Sequence, residues 1–267
     1  MTTAKLTRRA ALLGLTCLAA CGAPTRSQPP APPGVLFAPR FDDADPVDFP
    51  TPRPQRFAVQ GIDAARFQTS VDWNTARANG VNFAFLKATE GGDLRDPAYR
   101  DHSRGARRAG MWQSAYHFYY FCTEPEVQAR WFIQNVARRP GDLPPVLDME
   151  WNAKSPTCAS VRPPAGEVRA LMRRWLRPVT AHFGQRPIIY TTPDFYAQNG
   201  LSQFTGYDFW LRSTARHVAE VYPGQSWRFW QYSATGRIGG IAGNVDLNAF
   251  NGSREDWLAW VATRAIA

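Results

Sequence analysis

From Phe57 onward, short apolar runs alternate with helical segments, and no other feature limits the fold as much. Phe57–Asp63 reads as a strand, Val71–Asn79 as a helix and Val81–Lys87 as a second strand. Pro97–Ala109 is helical and is stopped by Gly110, and Gln113–Tyr120, Glu124–Arg138 and Pro145–Glu150 continue the alternation. Gly166–Phe183 is the clearest amphipathic helix, with Val168, Leu171, Trp175 and Val179 at helical spacing and Gly184 at its end. Pro187–Thr191 is a fifth strand. Beyond it the pattern changes: Asp208–Arg212, Arg228–Ser233 and Val245–Phe250 are short strands with little helix between them, and Asp256–Ala265 suits a closing helix. Repeated strand–helix units imply a parallel sheet with right-handed crossovers. The expected fold is α/β, a modified TIM-like barrel written (β/α)5(β)3, with eight strands and fewer outer helices than the standard form.

What precedes the barrel reads as an address and a tether. Residues 1–20 carry a basic start, an apolar stretch from Ala10 to Ala20 and small residues, the pattern of a secretory signal peptide. Leu18-Ala19-Ala20-Cys21 resembles a lipobox, in which Cys21 is lipidated and becomes the mature N-terminus. Thr7-Arg8-Arg9 weakly resembles a twin-arginine signal, and a plain signal peptide cleaved near Ala20 is the alternative. Either way the mature chain is expected to be exported to the cell envelope. Residues 21–56 hold most of the Pro-rich sequence before the barrel and read as an extended linker, leaving 57–267 as the barrel domain. No other apolar run reaches the roughly 18–20 residues of a membrane span.

Net charge is +9, from 31 Lys+Arg against 22 Asp+Glu. Three of the bases lie in residues 1–20, so the mature chain has 28 against 22, or +6. Such a protein is drawn to anionic lipid, an anionic wall or nucleic acid, but no nucleic-acid motif is present and that partner is not expected. Cys122 and Cys158 would meet an oxidising compartment and could form one disulfide, with two separate thiols as the alternative.

In a barrel of this class, chemistry sits where strands end. The residues there are Asp63, Lys87, Tyr116, His117, Asp148, Glu150, Tyr190, Gln231 and Asp246. Asp148-Met149-Glu150 is the sharpest of them. Strand side chains alternate, so both acids face one site with Cα atoms roughly 6.6 Å apart. Two acids that close cannot both ionise easily, and one stays protonated nearer neutral pH. An acid able to hand its proton to a leaving-group oxygen is what glycoside hydrolysis needs. The bland alternative is a pair that only caps or salt-bridges a strand end. The apolar lead-in Pro144-Pro145-Val146-Leu147 favours the functional reading, because it buries the strand that carries the pair. The 4 His are scattered, with no Cys/His cluster, Gly-rich phosphate loop or Gly-x-Ser-x-Gly elbow, so neither metal nor cofactor is expected.

With these residues in view, the chain resembles the glycoside hydrolase family 25 muramidases, a lysozyme family with a modified eight-stranded barrel. The matching pieces are Gly61-Ile62-Asp63, Phe67-Gln68 and Asp72-Trp73; Phe85-Leu86-Lys87-Ala88-Thr89-Glu90-Gly91; Asp96-Pro97; and Ala115-Tyr116-His117-Phe118. They continue with Leu143 to Glu150, Ile189-Tyr190-Thr191, Trp230-Gln231-Tyr232-Ser233 and Gly243 to Asn248. Two positions depart from the family: Ala64 stands where a branched apolar residue is usual, and Thr69 where Gly, Pro or Glu is common.

The resemblance implies hydrolysis of the β-1,4 bond between N-acetylmuramic acid and N-acetylglucosamine in peptidoglycan glycan strands. It implies Glu150 as proton donor and later base. Asp148 would act as nucleophile or, preferably, as the group that orients the substrate's own attacking acetamido. Asp63 and Asp246 would bind sugar and tune Glu150, and Lys87, Tyr116, Tyr190, Trp230 and Gln231 would line the groove. His117 is read as a satisfied barrel residue. The expected partners are peptidoglycan and, through Cys21, a membrane, with the protein a monomer. A non-catalytic peptidoglycan-binding lipoprotein and a chitinase-like glycosidase are the competing readings.

Overall fold

The computed structural model describes residues 1–2, 34–155 and 157–267. Most of the expected signal peptide, and Cys21 with it, lies outside the described residues. Eight strands form a closed barrel: β1 (Gln60–Ala64), β2 (Val81–Glu90), β3 (Trp112–Phe118), β4 (Val146–Met149), β5 (Ile188–Thr191), β6 (Phe209–Arg212), β7 (Phe229–Arg237) and β8 (Val245–Phe250). Helices α1 (Trp73–Ala78), α2 (Tyr99–Arg108), α3 (Pro125–Asn135), α4 (Ala165–Phe183) and α5 (Pro193–Asn199) follow β1 to β5 in turn. The sequence reading placed no helix at α5. A single turn, α6 (Val218–Val221), follows β6, and α7 (Arg254–Arg264) ends the fold.

Neighbouring strands from β1 to β7 pair parallel. The barrel does not close in parallel, however, because β8 runs antiparallel to both β7 and β1. The β7–β8 connection is too short to carry a crossover helix, so β8 can only return beside its neighbour. Asp246 therefore reaches the upper rim of the barrel from the start of its strand, whereas Asp63 and Asp148 reach it from strand ends.

Alternation along each strand divides the core in two. Phe83, Phe85, Tyr116, Val146, Tyr190, Trp210, Phe229 and Phe250 fill the barrel interior. Trp257 and Trp260 of α7 plug its base, packed on Phe83, Phe229 and Phe250. The opposite faces, including Ile62, Leu86, Leu147, Met149 and Ile189, pack under the helices against Phe132, Val168, Trp175 and Val179. Strands β4 and β5 are buried on both faces, which is why they read as unbroken apolar runs.

The stretch expected to be an extended linker is, from Gly34 to Arg56, part of the packed domain. It starts at the base, where Leu36 packs on the interior cluster and Asn82 accepts from the Phe37 amide (2.9 Å). It rises to pair Asp42–Asp43 antiparallel with β7 at Arg237 and Gly236. It then descends the outside of β7, laying Phe49 (3% exposed) edge-on to Trp230 at 5.0 Å before Pro54 receives the Gln60 amide (2.9 Å) at the base. Among the described residues no long helix covers β7 and β8, so this strap shields apolar side chains that would otherwise meet water. Proline does not prevent such packing, because a strap needs few backbone donors.

Candidate active site

The rim above the barrel interior gathers four acids. Asp63 is buried and accepts from Gln231 Nε2 and from Asn248 Nδ2, each at 2.8 Å. Asp246 lies directly across the β8–β1 pair from Asp63, and the two carboxyls share a hydrogen bond. Burial raises both above the ordinary carboxylate range. The donors around Asp63 offset part of that cost there, so the shared proton sits on Asp246, pushed up to about 9 by burial and by the Asp63 charge. Near neutral pH Asp246 therefore keeps its proton.

Asp148 and Glu150 face the same site from β4 and the residue just beyond it. Asp148 is 5% exposed, and its Oδ1 has no hydrogen-bond partner among the described residues. Burial and the neighbouring Glu150 push Asp148 well above the carboxylate range, while Lys87 opposes them. Glu150 is half-buried; burial raises it and Asp63 adds to the shift, against Arg212 and Lys87. With both acids raised, the pair retains a proton at a pH where free carboxylates have none.

The expected groove residues divide. Tyr190 lies in register with Asp148 and donates its hydroxyl to Gln231 Oε1 at 2.9 Å. Tyr116 and Tyr190 pack around Trp210, their ring centroids 6.2 and 4.4 Å from it. Lys87 bonds Glu90 at 2.6 Å, with its ammonium 4.7 Å from the Phe118 ring centroid. Trp230 is a correction. It is fully buried on the outer face of β7, donates to the Ser213 carbonyl (2.8 Å) and packs on Phe49 and His217, so it cannot touch a substrate. Gln231 points inward, and period-two alternation therefore turns Trp230 outward. His117 is an outer-face residue bonded to Thr89 (2.8 Å) and Gln128 (3.0 Å), and burial lowers it to about 3, leaving it neutral.

Three site residues escaped the sequence reading. Asn248 bridges Asp63 and the Trp210 indole N–H (2.7 Å), Arg212 offsets the raised Glu150 and Asp246, and Glu90 holds Lys87. The signals were present: Asn248 is two residues from Asp246 on the same strand, and Arg212 ends β6. Cys122 and Cys158 are joined as a disulfide with Cα atoms 5.4 Å apart, linking the loop after β3 to the loop after Glu150.

The chain is similar in sequence and fold to known proteins. Residues 62–241 match glycosyl hydrolases family 25. Lysozyme M1 of Streptomyces globisporus is 35% identical over 217 residues, covering 75% of this chain and 70% of its own. YegX of Escherichia coli (strain K12) is 38% identical over 216 residues, covering 78% of this chain and 75% of its own. The crystal structure of a bacterial lysozyme from Streptomyces coelicolor superposes with a TM-score of 0.67 at 33% identity, over 78% of this chain and 98% of that one. On sequence and fold together, the chain belongs to glycosyl hydrolases family 25.

Proposed function

We propose that the chain is a muramidase that hydrolyses the β-1,4 bond between N-acetylmuramic acid and N-acetylglucosamine with retention of configuration. The observation that carries this reading is the Asp148–Glu150 pair, both raised and both facing one site, with the buried Asp148 Oδ1 lacking a partner. The names of the S. globisporus and S. coelicolor lysozymes point the same way.

The geometry suits substrate assistance. The acetamido N–H of a bound muramic acid gives Asp148 a donor to accept from, which favours its ionised form and leaves the shared proton on Glu150. Glu150 passes that proton to the glycosidic oxygen as the C1–O bond breaks. The acetamido carbonyl oxygen attacks C1 from the other face, forming an oxazolinium whose positive charge Asp148 stabilises. Water then attacks C1 and gives a proton to Glu150. Two inversions return the original configuration and restore the acid. Asp63 and Asp246, joined by the one shared proton, offer their remaining carboxyl oxygens as acceptors to sugar hydroxyls.

Mass spectrometry of products released from purified peptidoglycan tests the bond assignment. Reducing-end N-acetylmuramic acid is expected, and cleavage of chitin oligomers alone would favour the chitinase-like reading. Glu150→Gln should cut release by about 10²-fold or more, since the leaving oxygen would depart unprotonated. Retention of more than about a tenth of the wild-type rate would overturn the assignment. The basic limb of the pH profile belongs to Glu150 losing its proton, and its raised value should hold that limb above the ordinary carboxylate range.

The same reading places the protein in the cell envelope, anchored through Cys21, on the strength of residues 1–21. Cys21→Ser should move the protein from the detergent to the aqueous phase in a partition assay. Identical partitioning of the two forms would sink the anchor.

A further inference from the structure

We propose that the base of the barrel, opposite the catalytic rim, docks on an anionic phospholipid surface. The observations concern what the loops entering the strands expose. Arg108 ends α2, Arg138 and Arg139 follow α3, Arg186 leads into β5 and Arg254 opens α7; all five are exposed. None has an Asp or Glu partner among the described residues: Arg138 reaches only the Ala267 carbonyl (3.3 Å) and Arg254 only that of Leu36 (3.3 Å).

The acids of this face are already engaged. Asp142 is held by Arg107 at 2.6 Å, Asp208 by Arg264 at 3.0 Å and Arg228 at 3.4 Å, and Asp256 closes the α7 cap with Ser253. Glu255 is left as the outward carboxylate. The rim gathers Asp63, Asp148, Glu150 and Asp246 at one point but also carries exposed cations, among them Arg66, Arg162 and Arg237. A sheet of negative charge attracts the unpaired arginines of the base.

Two features favour a lipid surface over a soluble anion. Leu258 of α7 (44% exposed) and Val35 (42% exposed) lie on this same face, as apolar groups that an interface can take up. Between α2 and the end of α3 lies an open groove of about 610 Å³, lined by Arg100, Arg104, Arg138, Arg139 and His182 together with Asp142, with Arg104 also paired to Asp101, and room for a phosphate headgroup is found there. The position of the chain agrees. Gly34 enters at the base, thirteen residues after Cys21, a span of about 45 Å at full extension. An anchor at Cys21 would hold the base towards the membrane and the catalytic rim towards the wall. The inference draws on the envelope location proposed above, but docking itself requires neither acylation nor catalysis.

The test uses the mature chain, residues 21–267, carrying Cys21→Ser. It is floated with vesicles of phosphatidylglycerol and phosphatidylcholine at about 3:7, and with pure phosphatidylcholine. Binding to the anionic vesicles only is expected, weakening as salt is added. The double substitution Arg138→Glu/Arg139→Glu should reduce it at least about ten-fold, and Leu258→Asp should reduce it further. Arg237→Glu, on the rim side, should leave it unchanged, and melting curves confirm that each variant is folded. Equal binding to both vesicle types, or loss caused by Arg237→Glu but not by the base substitutions, overturns the proposal. Because lipidation and sugar cleavage are not read out, failure here is distinguishable from failure of the anchor or the muramidase reading.

Discussion

Asp246 lies in surroundings that depart visibly from water. In the unfolded chain it titrates near 3.8; in the fold it holds its proton up to about 9. A carboxyl raised in this way favours the folded state at low pH, and the benefit is lost as pH rises, because the unfolded chain ionises first. Between about pH 4 and pH 9 the residue therefore tilts the balance progressively towards unfolding. Asp246→Asn keeps a donor for Asp63 and removes the titration. Its melting temperature should fall less than that of the wild type across this range, and parallel curves would show that the burial cost is not paid at this residue. Trp230 and Gln231 carry a second residue-scale lesson: adjacent in sequence, they face opposite sides of the sheet, and only one can meet a sugar.

At the scale of elements, the strap from Gly34 to Arg56 takes over the role of the missing helices. Phe49 is its anchor, wedged against Trp230, and Phe49→Ala should cost about 3 kcal/mol as a cavity that the strap cannot collapse to fill. Denaturant melts would measure this; a loss under about 1 kcal/mol would mean that the strap is dispensable. Close helix contact is set elsewhere by glycine. Gly105 of α2 faces the Trp73 ring of α1, where any Cβ would collide with the indole. Gly105→Ala should therefore destabilise by about 1–3 kcal/mol, against the usual preference of helices for alanine, and a stabilised variant would contradict the packing.

For the molecule as a whole, the Cys122–Cys158 bridge ties two loops of the acid-bearing rim across 36 residues of chain. Closing a loop of that length should contribute about 3 kcal/mol, so reduction should lower the melting temperature by roughly 5–15 °C. Unchanged melting in reductant, with free thiols verified by mass, would refute that contribution. At the other end of the barrel, exposed arginines without an acid partner among the described residues spread over the base.

Local chemistry was enough to read most of the strand–helix alternation, though not α5, and the eight-strand count, and to single out the acids at Asp63, Asp148, Glu150 and Asp246. Apolar spacing, glycine stops and strand periodicity act over a few residues and are written in order along the chain. Other features arise from what folding brings together. The antiparallel closure by β8, the strap, the outward turn of Trp230 and the recruitment of Asn248, Arg212 and Glu90 all depend on neighbours far away in sequence. The proton shared by Asp63 and Asp246 is the clearest case. The two residues lie 183 positions apart, and neither would be unusual in water. Only the closed barrel puts them side by side out of solvent, where the cost of two adjacent buried charges forces one of them to stay neutral.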